Sequence, residues 1–343
     1  MIRARTAIVL PVLAALLGCA MLVATGFGAE NLLVSSVIEV LRHRLTGQPP
    51  ADFGLDTIVW QLRVPRTVLA AIVGAGLALA GTAMQTLVRN SLADPYLLGV
   101  SSGAGVGAAA VITSGLFAGA GVWALSGGAL VGAFIAAALV FLIAVAQGGL
   151  TPLRLVLTGT VLGSAFAALS SYLIFRRPDP AAAQSVLFWL LGSLAGADWT
   201  RIALPLSVVA LAGIVLLAIG GWLDALTVGA DTAASLGVPV KELRIGLFVL
   251  LAVLVGVLVA VSGGIGFVGL VVPHATRLLV GPRHRSLLPA CALCGALFLV
   301  IADAFTRIVV RPTEIPVGVL TGLIGAPAFL ILMGRRRYRF GES

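Results

Sequence analysis

The sequence predicts an all-α, polytopic membrane protein with about ten transmembrane helices. Its 343 residues are 60% hydrophobic and only 10% charged, with a mean hydropathy of +1.13. They form apolar runs near the roughly 20 residues that cross a bilayer as a helix, separated by short polar loops. Backbone polar groups cannot be left bare in lipid, so the runs are helices. An outer-membrane barrel would instead show short segments of alternating polarity. The formal charge of +9 is almost all arginine, with Lys241 the only lysine, and it sits in the loops. That placement points to membrane topology and away from nucleic acid.

Residues 1–27 begin with Arg3 and Arg5 and continue as an apolar run. Leu16-Leu-Gly-Cys19 imitates a lipoprotein cleavage site, yet the run extends through Phe27 and is long enough to span. This favours an uncleaved first helix with its N-terminus in the cytoplasm. Residues 29–58 read as an external loop with some amphipathic character. The stretch from Arg63 to Gly107 reads as a helical hairpin: apolar and small from Thr67 to Val88, polar over 89–95, then apolar again with Gly99, Gly103, Gly105 and Gly107. Small residues at such spacings let helix backbones approach closely.

Helices four to six fall near residues 125–146, 152–175 and 202–222. The apolar piece 185–194 is too short to span and belongs at the external interface. After a polar connection over 223–244, helices seven to ten follow near 245–261, 267–280, 287–309 and 316–333. Ten crossings return the C-terminus to the cytoplasm. This topology puts thirteen of the 22 Lys and Arg side chains inside, the excess that the positive-inside rule requires.

A weak repeat aligns residues 69–81 with 251–263, and Leu157-Thr-Gly159 echoes Leu320-Thr-Gly322. The pairing makes one membrane domain of two five-helix halves, about 1–198 and 199–343. Five is odd, so the halves would be inverted, as in many transporters.

Three separated motifs carry a family resemblance. The first is Arg63-Val-Pro-Arg66, then Gly74-x-x-Leu-Ala-x-x-Gly81-x-x-Met-Gln85 and Arg89-Asn-Ser-Leu-Ala-Asp-Pro-Tyr-Leu-Leu-Gly99. The second is Gly264-Ile-Gly-Phe-Val-Gly-Leu-Val-Val-Pro-His274, and the third is Glu314-Ile-Pro-Val-Gly318 with Gly325-Ala-Pro327. Together they resemble the permease subunit of type II ABC importers for iron-siderophores, haem and vitamin B12. The family usually has proline where Ser91 stands. The resemblance implies a homodimer or a heterodimer with a related permease in the bacterial inner membrane, and a periplasmic or lipid-anchored substrate-binding protein. It also implies separate ATPase subunits, consistent with the lack of a G-x-x-x-x-G-K-[ST] loop. ATP would be used by that partner, with no cofactor bound to this chain. The implied substrate is a large metal chelate, with ferric siderophore the lead because it dominates the family and haem and cobalamin open.

Arg63 and Arg66 are three residues apart with Pro65 between them, at what reads as the external start of the second helix. Positive charge there opposes the helix dipole and the inside bias, which suggests a partner. The resemblance implies that Arg63, Arg66 and Arg307 meet glutamates on the binding protein; contact with lipid phosphate is the alternative. Asp303 and Arg307 are four apart and suit an ion pair, and an ionisable residue at membrane depth also suits a proton relay.

Asp231, Gly237 and Pro239 mark the start, cap and stop of a short cytoplasmic helix with small residues outward. Its residues Gly229, Ala230, Asp231, Ala233, Ala234, Leu236 and Gly237 resemble the element that couples the family's permeases to their ATPase. Thr151, Pro152 and Leu153 match the region of the family's cytoplasmic gate. No catalytic residue and no metal-ligand set is read. Cys291-x-x-Cys294 suits packing within a helix rather than redox chemistry, and His274 has no partner ligand at metal spacing. The rival classes are a secondary transporter driven by protons through Asp303, and an intramembrane enzyme using His274 or the cysteines.

Overall fold

In the structure, a computed structural model, residues 2–28, 30–176, 179–311 and 313–335 are described. Among them every regular element is a helix. In chain order these are α1 Ile2–Gly26, α2 Val34–Thr46, α3 Phe53–Asp56, α4 Val64–Val88, α5 Val100–Ser114, α6 Ala124–Ala146, α7 Pro152–Arg176 and α8 Pro180–Leu190. There follow α9 Ala203–Ala218, α10 Gly220–Val228, α11 Ala230–Ser235, α12 Val240–Ser262, α13 Val268–Val280, α14 His284–Thr306 and α15 Val317–Arg335. Seven helical stretches are long and apolar enough to cross a membrane; they contain α1, α4, α6, α7, α9, α12 and α14. The shorter apolar helices α5, α13 and α15 complete the ten predicted crossings.

The short helices have a physical reason. At about 1.5 Å per residue, a 13-residue helix such as α13 covers only about 20 Å. The segments before α13 and α5 are not α-helical. They lie against each other inside the protein, where such backbone is tolerated. The Tyr96 hydroxyl donates to the Ile265 carbonyl and accepts from the Ile265 N–H, both at 3.0 Å, and so satisfies the break.

The centre is α4, packed against α14, α12 and α13. Glycine makes the fit possible. A Cβ added at Gly74 would stand 2.2 Å from the Gly295 carbonyl oxygen, and one at Gly81 would stand 1.8 Å from that of Gly269. The two helices aligned by the repeat, α4 and α12, touch directly in the core.

Three expectations are corrected. Residues 34–46 and 53–58 are helical rather than loop. The amphipathic α2 turns Val37 and Val40 onto Val59 in a small satellite core, and Arg44 pairs with Asp56. The second crossing begins at Phe53 and runs through a π-helical stretch, Thr57–Arg63, into α4. Pro65 has no N–H to donate and its ring crowds the preceding turn, which a π-turn relieves. Third, the sixth crossing breaks at Ile219, and α10 extends to Val228, beyond the boundary at 222. Arg177, Arg336, Arg337 and Arg339, used in the charge count, lie outside the described residues.

Candidate functional site

The α4–α14 pair carries polar clusters at both ends. At one end Arg66 donates from Nε to both Asp303 oxygens, at 3.0 and 3.1 Å, and from Nη1 to Glu314 at 2.7 Å. Arg307 donates to the second Asp303 oxygen at 2.8 Å and to the Phe27 carbonyl at 3.1 Å. Asp303 is completely buried and Arg307 only 4% exposed. Buried charges need such pairing, because desolvation of each ion costs several kcal/mol. Arg63 instead donates to the carbonyls of Thr25, Gly26 and Glu30. The three arginines, with Glu30, Glu314, Ile58 and Leu62, line one open cavity of about 570 Å³.

The structure thus brings all three predicted docking arginines to one place, but with unequal freedom. Arg66 is 9% exposed, so it and Arg307 are internal partners of Asp303 rather than free surface cations. The dipole argument also changes: the helix starts at Phe53, and Arg63 lies about three turns inside, beyond the first turn where the dipole acts. Asp303, read as an i,i+4 partner of Arg307, holds two guanidiniums. Glu314 had been read only as part of a motif, and its link to Arg66 spans 248 positions.

At the opposite end of the pair, α10 leads through Gly229 into α11; Gly229 is the N-cap and makes no side-chain cap bond, so of the capping signals those at the C-terminus hold. Asp231 lies in the first turn, and Gly237, at φ +80°, closes the helix with its N–H on the Ala234 carbonyl and the Val238 N–H on that of Ala233. Ala230 and Gly229 are half-buried, whereas Asp231, Ala234, Leu236 and Gly237 are exposed, Leu236 by 69%. Ala233 is fully buried and so is not on the outward face.

Thr151, Pro152 and Leu153 form the turn into α7; Thr151 and Pro152 are half-buried and Leu153 is 68% exposed. Along α7 the exposed residues mix small ones, among them Thr160, Ser164, Ala167, Ala168 and Ser171, with large apolar ones such as Leu157, Val161 and Phe175. His274 lies buried in α13. No group of three or more His, Cys, Asp or Glu suited to a metal occurs among the described residues.

A model of the FecCD transport family matches residues 14–335. The chain belongs to the FecCD transport family. This FecCD chain is 41% identical over 324 residues to an uncharacterised ABC transporter permease, YvrB, of Bacillus subtilis, covering 92% of this chain and 90% of the relative. It is 42% identical over 297 residues to the cobalamin import permease BtuC of Halobacterium salinarum, covering 84% and 78%. With the vitamin B12 import permease BtuC of Salmonella typhimurium it shares 40% identity over 280 residues, covering 81% and 84%. Its fold matches a metal-chelate type ABC transporter in an inward-facing conformation, with a TM-score of 0.84 and 34% identity over 95% of this chain and 99% of that one. The FecCD chain is therefore the multi-pass permease component of an ABC importer, and ATP hydrolysis belongs to a separate subunit.

Proposed function

We propose that this chain carries a large metal chelate inward across the cytoplasmic membrane, with cobalamin the lead substrate and ferric siderophore second. The cobalamin-importing relatives, at 40% and 42% identity, favour a corrinoid over the siderophore lead drawn from sequence. The metal-chelate transporter of like fold supports the wider class.

The single observation that carries the reading is the polarity of the α4–α14 pair. An arginine-rich cavity stands at one end, and an exposed, capped short helix stands at the other. We assign the arginine end to the external face, where a binding protein docks, and α11 to the cytoplasm, against an ATPase. Both chain termini are then cytoplasmic. Arg63 is the primary docking cation; Arg66 and Arg307 shape its field through Asp303 and Glu314.

A second permease copy, identical or related, covers α7. Close helix packing favours small residues, and Thr160, Ser164, Ala167, Ala168 and Ser171 lie exposed along one side of α7. Thr151 and Pro152, at the start of that helix, form the cytoplasmic gate. The test is uptake by proteoliposomes holding the permease, its ATPase and its binding protein. Cyanocobalamin should accumulate with ATP and a ferric siderophore more slowly; accumulation of the siderophore alone would overturn the substrate order.

A further inference from the structure

At the α11 end of the α4–α14 pair, side chains from three helices form a chain. His284, in the first turn of α14, is 1% exposed. Its Nδ1 stands 2.6 Å from Asp224 Oδ1 and its Nε2 stands 2.9 Å from Thr86 Oγ1. The same Asp224 oxygen accepts the His284 backbone N–H at 3.0 Å, one of the donors that the first turn of a helix leaves unpaired. Thr86 lies near the end of α4 and donates to the Thr82 carbonyl at 2.9 Å. Asp224 lies on α10, which passes through Gly229 into α11.

We propose that Asp224 and His284 are positioning residues that transmit movement of α10 and α11 to the α4–α14 pair. This rests on the reading of α11 as the ATPase contact. The other contacts of α10 include the buried Leu223 and Leu226, whose apolar burial is non-directional, and a long 3.4 Å bond from Arg89 to the Val228 carbonyl. Two hydrogen bonds to one Asp224 oxygen are directional and hold that oxygen at the start of α14. The pair being gripped is stiff: Gly74 and Gly295 hold its backbones in contact, and Arg66–Asp303 ties its far end. A shift at Asp224 therefore reaches the arginine cavity as a displacement of the whole pair. Were the link only a helix cap, its loss would lower stability and leave coupling between ATP and transport unchanged.

The test uses the complex of the permease with its ATPase subunits, purified in detergent. Spin labels on Leu62→Cys of both copies, in a Cys19→Ser, Cys294→Ser background, report the ATP-induced distance change at the outer end. The ATPase rate is measured alongside. Asp224→Ala and His284→Ala should keep the ATPase bound and hydrolysing, while the fraction of complexes making the distance change falls about tenfold. The double variant should be no worse than Asp224→Ala alone, because that change already removes both bonds between α10 and α14, whereas His284→Ala leaves the backbone N–H bond to Asp224. Asp224→Asn keeps the shape and an acceptor oxygen; it should recover part of the response, and it replaces the alanine variant if that fails to fold. An unchanged response in folded variants, or effects that simply add, overturns the proposal. If Leu236→Arg leaves ATPase binding intact, the reading of α11 fails first and the joint falls with it.

Discussion

Arg66 and Asp303 stand 237 positions apart in the chain and meet in a buried ion pair, with three guanidinium-to-carboxylate contacts between 2.9 and 3.1 Å. Asp303 also takes Arg307, and Arg66 also takes Glu314. The cluster joins α4 to α14 and to the segment before α15. It sets how much positive charge the arginine-lined cavity shows.

Removing Asp303 takes the carboxylate from the buried Arg307 and leaves Arg66 with Glu314 alone. Asp303→Ala should destabilise the chain by about 3–5 kcal/mol, the cost of breaking a buried pair. Thermal unfolding in detergent measures it, and Asp303→Asn should fall between that variant and the native chain. A variant that unfolds like the native chain, yet loses uptake, would return Asp303 to the role of proton carrier.

Arg63 bonds only backbone carbonyls among its recorded partners, so it can be reversed at smaller structural cost than Arg66. Arg63→Glu should weaken docking of the binding protein about tenfold or more, the scale of an interfacial charge pair. Docking by the native chain should weaken with added salt. Titration of labelled binding protein onto the permease tests both; undiminished affinity at low salt would make Arg63 a lipid anchor. Arg66→Glu, by contrast, should impair folding.

The long crossings were legible because an apolar run of about 20 residues forms a helix in lipid. The capped α11 was legible because its start and stop signals are local. What escaped depends on residues distant in sequence. Glu314 meets Arg66 only through the tertiary fold, and nothing near His284 announces Asp224, 60 positions away. The helix over 53–63 escaped because Pro65 reads as a start, whereas a π-turn lets the helix run through it. Ala233 was placed outward with its neighbours because composition cannot tell the faces of a six-residue helix apart.

The burial of Ala233 separates two kinds of α11 variant. Leu236→Arg, on an exposed site, should abolish ATPase co-purification without changing the unfolding temperature. Ala233→Arg forces a charge into a filled position and should destabilise the chain, since overpacking alone costs about 1–3 kcal/mol. Equal stability of the two variants would contradict the observed faces.

Thr151 opens the turn into α7. With Thr151→Cys in both copies, oxidation should form a disulfide across the dimer axis in at least one nucleotide state and stop uptake. Absence of that crosslink in every state would move the gate elsewhere.

The most direct test asks what drives uptake. Permease and binding protein are reconstituted with and without the ATPase subunits, and cyanocobalamin entry is followed with ATP inside and with a protonophore added. Entry should require both the ATPase and ATP and should survive the protonophore. Entry that proceeds without the ATPase and collapses with the protonophore would contradict an importer driven through α11.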